Sequence, residues 1–503
     1  MTIKHGVSTR RMLLIALTAL TAPTAAFAQA CRRNGPSESA DVWLSRAVTS
    51  VGMEKARGRI LHIRGVEAQE QNYQSDRTYP PFFSAFQGWE GWVEPATGDT
   101  RFTTKITYPG FESPAGLTVI SNERASYAER DTLLMPVPPL HIQTLSQRPL
   151  DPWAVLHDWA SDSAVSVYGH CSYREYDRLV LTRQGRYGLE RLSLDAKTGF
   201  PVRLERTEPH YLWGQVSVEY LYSTWILADG VAYPGATFRL VDGATEGSRT
   251  VARVELISAD SAPRLAVPGD APVMPITLPA FLQATLPDTV RVSDAVYTLR
   301  NRGYGEAVAL LRDTVFVFDA TQSEARARQD SVWIGKLFPG HHPIVVVVTD
   351  LAWPHIAGVR FWVASGATIV SHAISRGFLD SVVARRWTLA PDQLEKVRAR
   401  ARFRFRPVTG VLDLAGGDIQ VRAIDGIGSE GALIALINPA RFLWASDYIQ
   451  TIQEPSLYAL EVLRAVERAK LEPVAVAAEH LPVTPWAEIQ RLVGTLDVEV
   501  GRE

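Results

Sequence analysis

Hydrophobic and polar positions divide this chain into a strand-rich first half and a second half in which strands and helices interleave. Between Ser37 and Ala56 the spacing of Val42, Leu44, Val48 and Val51 predicts an amphipathic opening helix. Period-two alternation then takes over, in Arg59 to Arg64, Leu179 to Thr182, Arg191 to Leu194, Val202 to Glu205, Val216 to Tyr222 and Thr250 to Ile257, with turns such as Asp195 to Gly199 between them. Such a series predicts a large antiparallel sheet. In the second half, Ala295 to Leu299, Ala307 to Leu311 and Thr314 to Asp319 read as successive strands, followed by a helix from Ser323 to Leu337. Ile344 to Val348 is a continuous β-branched run, the mark of a strand buried on both faces. Strands first and helices interleaved predict a four-layer αβ/βα sandwich. Pro263, Pro268, Pro272, Pro275 and Pro279 crowd a stretch with few charges and mark a linker at 263–285. The fold class is therefore α+β in two domains, an N-terminal antiparallel β-domain at 37–262 and a C-terminal sandwich at 286–503.

Composition narrows the function classes. The chain has 503 residues, 46% hydrophobic and 21% charged, with net charge −2. This is an ordinary globular balance and argues against a nucleic-acid partner. The N-terminus reads as a signal peptide over 1–28, with Lys4, Arg10 and Arg11 ahead of the apolar stretch Met12 to Leu20 and an Ala26-Phe27-Ala28 cleavage site. Thr9 to Leu14 is similar to a twin-arginine signal. The mature chain is expected to begin at Gln29 and to be exported, to a periplasm or beyond the cell. No later stretch reaches the roughly 20 apolar residues of a membrane span, so a transmembrane protein is not expected. The two cysteines, Cys31 and Cys171, are free to pair in an oxidising compartment, although their spacing is silent on pairing. A lipid anchor on Cys31 is a weaker option. Cys171 beside His170 reads as a buried structural thiol before it reads as a nucleophile.

The chemistry-bearing segment follows the Ile344 strand. Thr349 and Asp350 stand at its carboxyl end, where open α/β sheets place their sites. The stretch from Thr349 to Gly358, TDLAWPHIAG, then the Ala367 to Val370 strand, resembles the metallo-β-lactamase superfamily, whose members carry T-H-x-H-x-D-H-x-G-G there. On that pattern Asp350, Ala352 and Pro354 replace three metal ligands, and only His355 matches. Ile437 to Tyr448 resembles the segment carrying the metal-bridging aspartate, here Asp447. Ala478 to Ile489 resembles the last histidine motif, here His480, with Leu481 in place of a glycine. In Gly426 to Gly431 the expected histidine is Gly428. The resemblance covers about the last 210 residues, the size of one domain. It implies His355, Asp447 and His480 as ligands of at most one zinc or iron ion, with Asp350 as a fourth oxygen ligand or a base. Two readings stay open: a mononuclear hydrolase of ester, thioester or lactam-type bonds, or a noncatalytic relative that binds an apolar small molecule, a lipid or a protein partner in the cell envelope, with no metal.

The Leu194 to Glu205 and Tyr222 to Pro234 segments resemble the curved-sheet domains of outer-membrane lipoprotein carriers, which implies a half-barrel able to hold an acyl chain. The aromatic cluster Tyr79, Phe82, Phe83, Phe86, Trp89 and Trp92 fits either core packing or the mouth of such a cavity. His341 and His342 precede the Ile344 strand and are expected at the surface, away from the site. In Lys396 to Arg406 five arginines alternate with small or aromatic residues. On a strand this would place five guanidinium groups on one face, for anionic headgroups, polysaccharide or phosphate, or simply as a solvated edge. There is no phosphate-binding loop, nucleophile elbow, dinucleotide fingerprint or internal repeat.

Overall fold

The computed structural model describes residues 30–500 apart from 33–37, 71–83, 109–110, 113–116, 124–125, 131–132, 137–147, 174–175, 211, 268–284, 425–429 and 451–456. The signal peptide, most of the proposed linker, Tyr79, Phe82, Phe83 and Gly428 therefore lie outside the described residues.

The alternating segments of the first half join into one 15-stranded sheet. Its longest hairpins are Gly214–Ala228 with Val231–Val241, and Val231–Val241 with Ala244–Ser258. One face is covered by two helices. Ala40–Val51 buries Trp43, Leu44, Ala47 and Val51, and Pro152–Ala160 buries Trp153, Leu156 and Trp159. The second helix starts sharply because Pro152 follows Asp151, whose carboxylate accepts from the N–H groups of Trp153 and Ala154 at 2.8 Å. Trp43, Trp153 and Trp159 of these helices belong to the same buried core as Leu61, Ile63, Leu181 and Leu204 of the sheet. Trp89 joins this core, whereas Trp92 lies flat on His62 with ring centroids 5.1 Å apart and Phe86 is 52% exposed.

Cys171 corrects the sequence reading. It is disulfide-bonded, and Cys31, the chain's other cysteine, is its register partner where Ala30–Arg32 pairs with Ser166–Tyr173. Strand register, rather than spacing along the chain, sets the pairing, so Cys171 is neither a free structural thiol nor a nucleophile.

In the second half two sheets pack face to face. The 7-stranded sheet contains the short parallel strand Ile344–Val347, flanked by Thr314–Phe318 and Thr368–His372. The 6-stranded sheet carries Leu433–Ile437 and Phe442–Trp444. Between them lies a core that includes Phe316, Phe318, Val347 and Val370 from one sheet and Leu433, Ala435, Phe442 and Trp444 from the other. The outer face of the first sheet packs on Glu324–Leu337, Val359–Ala364 and Arg376–Ala384. The outer face of the second packs on Leu457–Arg468 and Trp486–Val500. This gives the helix, sheet, sheet, helix layering that the alternating pattern predicts. The two halves touch: the Gln215 N–H donates to the Arg386 carbonyl at 3.1 Å, and Trp213 meets Phe378 edge-on at 5.7 Å.

Two further expectations change. The helical segment after the Ile344 strand is two short helices, Trp353–Ile356 and Val359–Ala364. Of the five arginines expected on one strand, only Arg404 and Arg406 lie on Arg404–Val408. Arg398 caps the helix Gln393–Val397 and pairs with Glu395, because that helix runs further than the alternation suggests. His341 is exposed, and His342 pairs with Asp313 at 2.7 Å at the far end of the sheet. Among the described residues no helix is long and apolar enough to cross a membrane.

Candidate metal centre

The centre grows from four chain segments that leave the inner sheets at the same end. The first is Asp319, which follows Thr314–Phe318 at φ 74° and is fully buried. Its Oδ1 accepts from the Thr349 N–H at 2.7 Å and hydroxyl at 2.8 Å, and its Oδ2 from the Trp444 indole N–H at 2.8 Å. Asp319 thereby ties the ends of three strands together, and its remaining contact is with His355 Nδ1, 3.1 Å from Oδ2. A carboxylate behind an imidazole fixes the ring and turns its other nitrogen inward.

The second segment is the short helix Trp353–Ile356. Ahead of it Asp350 closes a turn, its carboxylate accepting from the Ala352 N–H at 2.7 Å. Its end is stapled to the loop after Asp319, where the Ala320 N–H donates to the His355 carbonyl at 2.9 Å and the Gln322 N–H to the Pro354 carbonyl at 3.0 Å. Pro354 serves as an early helix residue here. His355 is fully buried, with Nε2 facing Glu479 Oε2 at 3.6 Å.

The third segment, after Phe442–Trp444, brings Asp447, and the fourth, after Ala475–Ala477, brings Glu479 and His480. Glu479 is held through its backbone, with its N–H donating to the Ser446 carbonyl at 2.8 Å and its carbonyl accepting from Gly305 at 2.7 Å. Its side chain is fully buried, and neither carboxylate oxygen receives a hydrogen bond. One donor atom each from His355, Asp447 and Glu479 lie within 4.8 Å of one another, the arrangement a metal ion needs. His480 sits at the rim, with Nδ1–H donating to the Gly303 carbonyl at 3.1 Å. Nε2 is then left facing Asp447 at 3.7 Å and Glu479 at 3.6 Å. The Tyr304 ring meets His480 at a tilt, with centroids 5.0 Å apart, and Trp353 likewise at 5.7 Å.

The charges are strongly coupled. Burial pushes the Glu479 carboxyl well above its usual range; His355 opposes this, and Asp447, Asp319 and Asp350 add to it. Burial alone would depress the His355 imidazolium, yet the carboxylates of Glu479 and Asp319 hold its pKa well above the ordinary value. Asp447 is raised by burial, with His355 and His480 pulling the other way. Burial, with Glu479 and Asp447 nearby, pushes the Tyr304 phenol up to about 12. Four carboxylates thus surround two imidazoles, and of the two that are fully buried, Asp319 and Glu479, the second receives no hydrogen bond. Such a pocket suits a cation.

Of the residues singled out from sequence, His355 and Asp447 come together, His480 borders them, and Asp350 stands close enough to act on their charges while its own oxygen closes the turn before the Trp353–Ile356 helix. Glu479 and Asp319 were missed. Both are acids that end apolar runs, Val474 to Ala478 and Val315 to Phe318, and the strand-end rule that drew attention to Asp350 applies equally to them.

No family model matches the chain, and no curated protein matches it. Among solved structures it overlaps DIM-1 metallo-β-lactamase, at TM-score 0.34 and 13% identity over 43% of this chain and 99% of that one. TMB-1, described with the role of its residues 119 and 228 in substrate and inhibitor binding, overlaps at 0.34 and 13% over 43% and 100%. A DIM-1 crystal exposed to ceftazidime gives 0.33 and 13% over 43% and 100%. An overlap at this level does not by itself assign a fold or an activity.

Proposed function

We propose that this chain is an exported hydrolase that works with one divalent metal ion, held by His355, Asp447 and Glu479 in its C-terminal sandwich. The observation that carries the reading is the Glu479 carboxylate, fully buried without a hydrogen-bond donor and within ligand distance of His355 and Asp447. A buried carboxylate that receives no hydrogen bond is costly, even with imidazoles 3.6 Å away. One nitrogen and two oxygen donors suit zinc, iron or manganese. A metal bound there would supply Lewis acidity and a water acidified toward neutrality.

The chain's own groups give the rest of the chemistry. Asp319 fixes the His355 ring through Nδ1 and leaves Nε2 for the ion. His480 keeps a proton on Nδ1 through Gly303, so its Nε2 lone pair is ready to take a proton from the attacking water or to serve as a fourth ligand. The Tyr304 phenol stays protonated at neutral pH and can donate to the oxygen of a carbonyl drawn over His480. The four carboxylates disfavour an anionic substrate, so a neutral ester, thioester or lactam-type carbonyl is the class assigned. We read the N-terminal sheet and the sandwich as two domains joined at 263–285. The alternative of a noncatalytic protein holding an acyl chain in a half-barrel is weakened by the tryptophan packing between that sheet and its helices.

The test is hydrolysis of a panel of neutral esters, thioesters and lactones by the chain before and after chelation, with each divalent ion added back. Turnover that chelation removes, metal restores and Glu479→Gln and His355→Ala abolish is expected. Turnover that persists in both variants would overturn the assignment.

A further inference from the structure

Away from the metal centre, one edge of the 7-stranded sheet carries a concentration of charge that the proposed activity does not use. Lys396 to Arg406 holds six basic residues and no acid, in a chain of net charge −2. Arg398 is answered by Glu395 at 2.8 Å. Arg400, Arg402, Arg404 and Arg406 are all exposed, and among the described residues none of the four has a carboxylate partner. Arg402 and Arg404 instead donate to the carbonyls of Ala401 at 3.0 Å and Gly366 at 3.2 Å, which orients the guanidinium groups without neutralising them.

The strand Arg404–Val408 is the last of its sheet and pairs only with Thr368–His372. Along the strand, two-residue spacing sets Arg404 and Arg406 about 7 Å apart on one face, and Arg400 and Arg402 lie in the turn and the connecting segment that lead into it. Phe403 and Phe405 alternate with them, half-buried, under the Arg376 guanidinium at 5.6 and 5.1 Å, and Arg376 is itself paired with Asp380 at 2.8 Å. Guarding a sheet edge against pairing needs charge on the strand. Arg400 and Arg402 precede the strand, where no edge is to be guarded. Pro407 lacks the N–H that an added peptide strand would use, so an extended peptide is a poor occupant.

We propose that this edge docks on an anionic phospholipid surface, with headgroup phosphates against Arg400, Arg402, Arg404 and Arg406. Guanidinium forks match phosphate oxygens in pairs. Phe403 and Phe405 point to the other side of the chain and pack against the core, which anchors the arginine-bearing strand from behind. A bilayer touches only the edge presented to it. A long nucleic acid or acidic polysaccharide would also meet the rest of the chain, whose remaining charge is negative and repels it.

The test is co-sedimentation of the full chain with vesicles of phosphatidylcholine alone and of phosphatidylcholine mixed with phosphatidylglycerol, compared with the quadruple variant R400Q/R402Q/R404Q/R406Q. Partition onto the anionic vesicles is expected to exceed that onto neutral ones. Each basic residue near an anionic surface contributes about a fivefold factor, so the quadruple variant should lose well over tenfold. An unchanged thermal unfolding midpoint shows that the variant keeps its fold. Equal partition on both vesicle types, no partition on either, or no loss in the folded variant would overturn the proposal. Arginine-dependent capture by heparin or DNA without capture by anionic vesicles would also overturn it, in favour of a soluble polyanion.

Discussion

Asp158, on the helix over the N-terminal sheet, and Glu479, in the C-terminal sandwich, are both buried carboxylates in opposite situations. Asp158 is only 9% exposed and takes the Arg148 guanidinium in a two-point contact, one arm at 3.1 Å. Burial works against its charge, yet Arg148, His157 and Arg183 bring its pKa below the usual value. Glu479 is fully buried, receives no hydrogen bond, and is pushed upward by burial. Burial by itself therefore says little about function. What distinguishes the two is whether the protein supplies the partner or leaves that place to something that binds.

The sharpest way to break this comparison is to remove a partner. Arg148→Ala leaves Asp158 charged and buried, and should cost about 3–5 kcal/mol in denaturant unfolding. Glu479→Gln removes a carboxylate that has no donor and should change apo-protein stability by less than about 1 kcal/mol while abolishing metal binding. If the glutamine variant lost as much stability as the Arg148 variant, Glu479 would be a structural residue.

A second, intermediate effect is the pH dependence of stability. The folded pKa of Asp158 is lowered from 3.8, so its contribution is present above the unfolded pKa and disappears as pH falls through the folded value. The folded pKa of Glu479 is raised from 4.5, so its contribution is full below that value and is lost as pH rises through the folded pKa. His355, raised from 6.5, acts in the same direction above its unfolded value. Unfolding of the chelated protein from pH 4 to 9 should thus show stability declining toward the alkaline side, and Glu479→Gln should flatten its lower part. A decline unchanged in the variant would assign it elsewhere.

The smallest expected effect comes from a cluster between these extremes. Glu306 and Asp330 are both buried beside Arg326, which pairs with Asp330. Burial and the neighbouring Asp330 charge raise Glu306, and burial raises Asp330 against the pull of Arg326. Glu306→Gln keeps the Arg326 pair and removes the like charge. Stability at neutral pH should rise by up to about 1 kcal/mol, and a loss of several would show that Glu306 is needed in its charged form.

Much of the scaffold was legible in the sequence because it follows from periodicity. The β-branched run at Ile344 can only be a doubly covered strand, and the helix Glu324–Leu337 begins at Ser323, whose hydroxyl accepts from the Arg326 N–H at 3.1 Å. The site was half legible. Motif spacing led to His355, Asp447 and His480, but it drew attention to His480 when its neighbour Glu479 is the residue turned inward. Which of two adjacent residues at a strand end faces the core depends on the register of Ala475–Ala477 with Phe442–Trp444. The disulfide was hidden for the same reason, since Cys31 and Cys171 meet only through strand pairing.

The central claim is tested most directly by measuring the metal content of the chain purified without chelator, by mass spectrometry of the intact sample, beside Glu479→Gln and His480→Ala. The account predicts about one zinc, iron or manganese per wild-type chain, none in Glu479→Gln, and retained though weaker binding in His480→Ala. No metal in the wild type, after loading with each ion, would contradict it. Full occupancy in Glu479→Gln with loss in His480→Ala would keep the ion but remove Glu479 from its ligands.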